Sequence, residues 1–124
     1  MPAKKILVVD DEPEVLRFME HFLTEQGFEV RAAANGRLGL LALDNFAPDV
    51  VLLDMHMPEM DGLETLKQLT ARSPELPVIM VTVNDDVETT SRLLRLGAAD
   101  YVPKPFNLEY LEQAINIQLS ATRD

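Results

Sequence analysis

The chain contains neither cysteine nor tryptophan among its 124 residues. The absence of cysteine excludes disulfide bonds, thiolate zinc sites and cysteine nucleophiles, and it leaves the chain able to fold in a reducing compartment. No apolar stretch approaches the roughly 20 residues that a membrane span needs, and the N-terminal residues contain no apolar run of signal length. We therefore expect a cytoplasmic protein that does not enter a membrane.

Positive charge is also scarce, because 11 lysines and arginines face 21 aspartates and glutamates, for a net charge of -10. Proteins that bind nucleic acid concentrate lysine and arginine on one surface, so this balance argues against a nucleic-acid interface and favours a divalent cation. The length suits one core that needs neither disulfides nor a structural metal. We predict a single domain over residues 1–124.

Short apolar runs alternate with amphipathic stretches five times along the sequence, which is the pattern of a repeated strand and helix. The predicted strands are Lys5 to Val9, Glu29 to Ala33, Val50 to Leu53, Val78 to Thr82 and Asp100 to Val102. The predicted helices run from Pro13 to Gly27, from Gly36 until Pro48, from Leu63 to Arg72, onwards from a cap at Asn84, Asp85 or Asp86, and from Leu108 to Leu119. Right-handed crossovers on a five-stranded parallel sheet place helices on both faces, so we predict a doubly wound α/β fold.

The apolar stretch that leads to Asp54 is the centre of this pattern. Four consecutive apolar residues, Val50 to Leu53, are typical of a strand buried on both faces, and Asp54 follows where the strand emerges. Pro58 cannot continue a strand, so a loop follows before the third helix. A carboxylate at this edge of a parallel sheet lies where doubly wound folds keep their ligand sites.

Other predicted strands also end in polar side chains. They are Asp10, Asp11 and Glu12 after the first strand, Thr82 after the fourth and Lys104 after the fifth. Because the carboxyl ends of parallel strands share one edge, we expect these groups near Asp54. Clustered carboxylates repel one another unless a cation lies among them, and oxygen-only ligands favour Mg²⁺ first and Ca²⁺ second. The alternative is that the acidic triplet only stabilises the N-terminus of the first helix.

Four segments of the chain resemble the receiver domain of bacterial two-component response regulators, a chemotaxis-regulator-like domain. The segments are Val8-Val9-Asp10-Asp11-Glu12, Asp54 to Gly62, Val81-Thr82, and Gly97 to Tyr101 with Lys104-Pro105-Phe106. Each is weak alone, but the order and spacing of all of them make a specific match over essentially the whole chain. The resemblance implies a flavodoxin-like fold with strand order 2-1-3-4-5 and a switch that depends on Mg²⁺ and an aspartyl phosphate.

Carried over position by position, the resemblance implies that Asp54 is the phosphoacceptor. The phosphoryl group would come from the phosphohistidine of a histidine kinase or phosphotransfer protein. Mg²⁺ would be held by Asp10, Asp11, Asp54 and the backbone carbonyl of His56. The protein would catalyse its own phosphorylation and dephosphorylation without being a turnover enzyme.

The resemblance also implies how phosphorylation is sensed. Lys104 and Thr82 would contact the phosphoryl group, and Thr82 with Tyr101 would form the switch. The surface of the fourth helix, fifth strand and fifth helix would then shift and control an output partner or domain, with the protein a monomer or a phosphorylation-dependent dimer. A cis peptide bond between Lys104 and Pro105 is a further expectation.

Val83 departs from the family pattern, because receivers usually carry a small residue after the position of Thr82. Its branched side chain is expected to narrow access to Asp54. Two other classes share part of the pattern. A phosphatase of the haloacid-dehalogenase type places an Asp-x-Asp pair after its first strand, whereas Asp10 and Asp11 are adjacent. A flavodoxin binds its phosphate with a serine, threonine and glycine loop there, and an acidic triplet would repel that phosphate.

Overall fold

The computed structural model describes residues 2–57, 60–83 and 86–121. The strands in these residues are β1 (Lys5–Val9), β2 (Glu29–Ala33), β3 (Val50–Asp54), β4 (Val78–Thr82) and β5 (Asp100–Pro103). The helices are α1 (Pro13–Glu25), α2 (Gly36–Ala42), α3 (Gly62–Arg72), α4 (Val87–Arg95) and α5 (Leu108–Ala121). Strands and helices alternate as the sequence predicts. No helix within the described ranges is long and apolar enough to cross a membrane.

The strands form one parallel sheet in the order β2-β1-β3-β4-β5. This order confirms the doubly wound fold and the strand order that the resemblance implies. Strands β1, β3 and β4 each have a neighbour on both sides, and their apolar residues are buried. All carboxyl ends therefore meet at one edge of the sheet, which brings the polar residues after the strands together.

Each face of the sheet has its own apolar cluster. On one face the strands pack against α1 and α5, through residues such as Leu23 and Ile115. On the other face they pack against α3 and α4, through residues such as Leu66 and Leu93. Alternate side chains of the central strands enter opposite clusters, which is why those strands are uninterrupted apolar runs.

Helix α2 ends at Ala42, well before Pro48, so its predicted length was wrong. The backbone N–H groups of residues 43–45 bond to carbonyls three residues earlier, at 3.0 to 3.2 Å, so the chain tightens into a turn. The side chain of Arg72, from α3, donates to the Leu40 carbonyl at 3.2 Å. The Leu40 carbonyl thus accepts both the Leu43 N–H and the Arg72 side chain, and the helix ends in a turn that contains Asp44 and Asn45, residue types that favour turns.

The other helix boundaries agree closely with the sequence. Asp86 caps α4 by accepting the Thr89 N–H at 3.1 Å, while Asn84 and Asp85 lie outside the described residues, as does Pro58. The peptide bond between Lys104 and Pro105 is cis, which confirms that expectation.

Candidate phosphoacceptor and metal site

Two buried aspartates lie side by side at the carboxyl ends of the central strands. Asp54 is the last residue of β3 and is 4 % exposed, and Asp10 directly follows β1 and is 3 % exposed. The strand register pairs Val9 with Leu53, so the next residue of each strand emerges at the same level. The Asp10 carboxylate is oriented by the backbone N–H of Glu12, which donates to Oδ1 at 2.9 Å.

Asp11 completes a group of three carboxylates with Asp10 and Asp54. One oxygen from each of the three lies within 4.8 Å of the others. Oxygen ligands at this spacing suit one hard cation, so the donor set fits the expected Mg²⁺. His56 is exposed, and its backbone carbonyl as a fourth ligand stays a prediction.

Lys104 brings the ammonium that faces these carboxylates. Its Nζ lies 3.3 Å from Asp54 Oδ1, 3.4 Å from Asp10 Oδ2 and 3.5 Å from Glu12 Oε1. The side chain is only 16 % exposed, and the backbone N–H of Lys104 donates to the Thr82 carbonyl at 2.8 Å. A fixed backbone and three carboxylates therefore hold the ammonium beside Asp54.

The charges of the site perturb one another. Burial raises the pKa of Asp54 to about 6, and the nearby Asp10 carboxylate adds to the rise, against the opposing effects of Lys104 and a hydrogen bond from the His56 backbone. Burial also raises the pKa of Asp10. Burial lowers the pKa of Lys104, but the Asp10 and Asp54 carboxylates outweigh it, so the pKa of Lys104 is raised. The site holds more negative charge than its one ammonium neutralises.

Thr82 is fully buried at the end of β4, and its hydroxyl donates to the Met55 sulfur at 3.4 Å. The Met55 N–H donates to the Val81 carbonyl at 3.0 Å, and the Met55 carbonyl accepts the Gly62 N–H at 2.9 Å. A Cβ on Gly62 would come within 2.5 Å of Met55 Cα and 2.6 Å of the Asp54 carbonyl oxygen. The chain that follows the candidate acceptor is thus held directly against the start of α3.

The remaining predicted residues surround this centre. Val83 is 59 % exposed and, with His56, lines a cavity of about 410 Å³ that also contains Asp54 and Lys104. Tyr101 lies further back on β5, opposite Met80, and is half-buried against the core. The structure therefore brings the acidic residues and Lys104 together, with Val83 in the lining of the same cavity and Tyr101 on the outer strand β5.

Two contacts of the site were not predicted from the sequence. The Met55 sulfur meets the Thr82 hydroxyl, and the Glu12 carboxylate reaches Lys104. A methionine beside a buried aspartate signals only a core residue, and an acidic residue before a helix signals only a favourable helix start. Neither pattern indicates which residue the side chain will contact.

A family model described as the response regulator receiver domain matches residues 6–116, a range that contains every site residue above. The chain belongs to this family. Receiver domains are signalling domains of response regulators and not turnover enzymes, so the acidic cluster belongs to a signalling protein.

This receiver domain is similar in sequence to parts of longer proteins. It is 44% identical to Regulatory protein AtoC of Escherichia coli over 118 residues, which are 92% of this chain and 26% of that protein. It is 40% identical over 115 residues to a Probable C4-dicarboxylate response regulator DctR of Priestia megaterium, covering 91% of this chain and 50% of that protein. The chain spans about a quarter to a half of the length of these curated relatives.

Solved structures show the same fold. The receiver domain of the Francisella response regulator 1452 superposes with a TM-score of 0.91 at 31% sequence identity, covering 97% of this chain and 99% of that chain. NtrX from Brucella abortus, solved in complex with ADP, superposes with a TM-score of 0.90 at 34% identity, covering 97% of this chain and 28% of NtrX.

Proposed function

We propose that this receiver domain is a phosphorylation-dependent switch in which Asp54 accepts a phosphoryl group from the phosphohistidine of a histidine kinase or phosphotransfer protein. The observation that carries the proposal is a buried carboxylate with the Lys104 ammonium at 3.3 Å and two further carboxylates beside it. Asp54 lines an open cavity, so a donor can reach it. Its pKa of about 6 leaves the carboxylate ionised at neutral pH, as a nucleophile must be.

The transfer exchanges one bond to phosphorus for another. The bond between phosphorus and the histidine nitrogen breaks as a carboxylate oxygen of Asp54 bonds to phosphorus, and the imidazole leaves with a proton. In hydrolysis, water attacks phosphorus, the Asp54 oxygen leaves as the carboxylate, and inorganic phosphate is released. The Lys104 ammonium stabilises the charge on the phosphoryl oxygens in both steps. The domain thus acts on itself and is regenerated by each cycle.

Mg²⁺ would be held by Asp10, Asp11, Asp54 and the backbone carbonyl of His56. The close approach of the three carboxylates supports this site, because Lys104 compensates only part of their repulsion. When bound, the ion would neutralise negative charge on the carboxylates and the phosphoryl oxygens. Lys104 supplies the chain's own positive charge, and the Thr82 hydroxyl supplies a hydrogen-bond donor.

Thr82 and Tyr101 would carry the change to the surface. Phosphorylation adds roughly 1.5 to 2 negative charges and strong acceptor oxygens at Asp54, towards which the Thr82 hydroxyl turns. Tyr101 is half-buried on the neighbouring strand β5, so it can bury further when Thr82 moves. The surface of α4, β5 and α5 would then change its packing and report the phosphorylated state.

The same proposal covers the partners of the domain. Residues 1–124 would form a single receiver domain in the cytoplasm, as a monomer or a phosphorylation-dependent dimer, without nucleic-acid or membrane contact of its own. It would control an output domain or a separate target protein. The matched segment is only 26% of AtoC and 28% of NtrX, which supports an output domain as the controlled element.

Incubation with acetyl phosphate and Mg²⁺, followed by intact-mass spectrometry, tests the proposal. The wild-type chain should gain one phosphoryl adduct, and Asp54→Asn should gain none. Asp44→Asn, which changes an exposed aspartate after α2, is the matched control and should still form the adduct. An undiminished adduct in Asp54→Asn would refute the assignment. Release of many equivalents of phosphate with no adduct would instead indicate a phosphatase.

A further inference from the structure

We propose that Met55 is a positioning residue that holds the Thr82 hydroxyl in the unphosphorylated state and so sets how readily that hydroxyl is released to the phosphoryl group. The inference rests on the proposed function, because it concerns the same switch. Its observation is the 3.4 Å contact between Thr82 Oγ1 and Met55 Sδ.

The backbone of Met55 is fixed next to Thr82, and its side chain packs against the core. Its N–H is bonded to the carbonyl of Val81, the residue before Thr82, and its carbonyl is bonded to the N–H of Gly62 at the start of α3. The side chain is half-buried and packs against the core cluster of α3 and α4. The Met55 backbone therefore stays beside Thr82 as long as β3 and β4 remain paired, and packing against the core limits where its side chain can go.

The thioether of Met55 can accept a hydrogen bond that is weak enough to break easily. A threonine hydroxyl has one proton to donate, so a proton donated to Met55 is not donated to an oxygen on Asp54. Sulfur is a weak acceptor, whereas an ionised phosphoryl oxygen forms a much stronger hydrogen bond. Thr82 can therefore be oriented at rest and still change partners readily once Asp54 is phosphorylated.

Met55→Leu removes the acceptor while keeping the volume of the side chain. The lost contact destabilises the unphosphorylated state, so phosphorylation should be faster. Hydrolysis starts from the phosphorylated state, in which the contact is already broken, so its rate should not change. At a fixed concentration of acetyl phosphate, the steady-state ratio of phosphorylated to unphosphorylated protein should rise about two- to fivefold, as the loss of a weak hydrogen bond allows. Intact-mass spectrometry gives this ratio directly.

A double-mutant cycle separates this role from a merely structural one. In Thr82→Val, which lacks the hydroxyl, Met55→Leu should leave the ratio unchanged. Met57→Leu is the matched control, because it changes a buried methionine in the same loop and should have no effect in either background. In unphosphorylated protein labelled at the methionine methyl groups, Thr82→Val should shift the Met55 resonance and leave that of Met57 in place.

The outcomes distinguish this inference from the proposed function. If the wild-type chain forms no adduct, the proposed function fails and the role of Met55 in switching fails with it. If the wild-type chain forms the adduct but Met55→Leu gives the same ratio, only the role of Met55 is refuted. An effect of Met55→Leu that persists in Thr82→Val also refutes it, since the sulfur would then act through something other than the hydroxyl.

Discussion

The parallel strands begin at one end of the sheet and finish at the other, and we call these two ends its edges. Both edges carry charged side chains, but their charges are compensated differently. At the edge where the strands begin, Arg72 pairs with Asp44, and both side chains are exposed. Nearby, the Asp49 carboxylate accepts the backbone N–H of Lys5 at 2.7 Å. These charged groups all have a partner or access to water.

At the edge where the strands end, buried carboxylates outnumber their partner. Asp10 and Asp54 are nearly inaccessible to water, Asp11 is close to both, and Lys104 is the ammonium that faces them. Buried charge without full compensation costs stability. Among the described residues, fully buried carboxylates occur where the strands end and not where they begin, and this is the end at which an incoming cation and phosphoryl group can change the balance.

The largest difference between the edges should appear when their cations are removed. Lys104→Met leaves two buried carboxylates without an ammonium and should lower the free energy of unfolding by about 3 kcal/mol at pH 7 in a chelator. Arg72→Met removes an exposed pair and should cost no more than about 1 kcal/mol. Urea unfolding followed by circular dichroism measures both. Equal losses would contradict the contrast between the edges.

Removing the buried negative charge should have the opposite effect. In chelator at pH 7, Asp54→Asn should raise the free energy of unfolding by about 3 kcal/mol, since one unit of pKa shift corresponds to about 1.4 kcal/mol. The pKa of Asp54 is raised in the folded chain from about 3.8 to about 6. Ionisation is therefore costly only in the folded state.

The pH dependence of that effect follows from the direction of the shift. Below about pH 4 the carboxyl is protonated in both states, so the gain from Asp54→Asn should vanish. Between about pH 4 and pH 6 the wild-type chain should lose stability relative to the variant, and above pH 6 the difference should be constant. Urea unfolding across this range is the measurement, with Asp44→Asn as the control. A gain independent of pH would contradict the assigned cause.

Mg²⁺ should reduce the imbalance at the carboxyl edge. A ligand at ten times its dissociation constant stabilises the native state by about 1.4 kcal/mol, so the melting temperature should rise when the ion is added. Calorimetry can follow this rise, which Asp11→Ala should abolish and Asp44→Ala should keep. An equal rise in Asp11→Ala would place the ion elsewhere.

The smallest effect concerns entry to the site. Val83 lines the cavity above Asp54, so Val83→Ala should speed phosphorylation by acetyl phosphate and also hydrolysis, each by more than twofold. Val87→Ala, at an exposed valine on α4, is the control. Changes below about twofold in both rates, on the order of 0.4 kcal/mol in the barrier, would show that Val83 does not restrict access.

The sequence was most informative where local patterns decide the structure. Apolar runs that end in a charge set the strands, and the shared edge of parallel strands then predicted that Asp54, Asp10 and Lys104 would meet. The end of α2 was predicted wrongly, because the prediction placed it at Pro48, whereas the chain already turns at residues 43–45. The contact from Arg72 of α3 to the Leu40 carbonyl lies at this turn and joins positions far apart in the chain, so it leaves no local signal.

Side-chain contacts within the site were the least predictable. The contact of Met55 with Thr82 depends on the pairing of β3 with β4 and on side-chain torsions, and neither can be predicted from the residue types alone. The same limit applies on α5, where Ala114 is buried although Ile117, three residues later on the same side of the helix, is 60 % exposed. Periodicity predicted a face of the helix but not how deeply each member of it lies.

The close packing of Gly62 against the backbone of Asp54 and Met55 limits how this site can evolve. The exposed side chains beside the acceptor, His56 and Val83, can be exchanged one at a time, because they border a cavity and solvent. The spacing between Asp54 and α3 is more constrained, since a Cβ at Gly62 would collide with main-chain atoms of Asp54 and Met55. Substitutions that change the rate of the switch can therefore accumulate during evolution, whereas the distance between Asp54 and the start of α3 stays fixed.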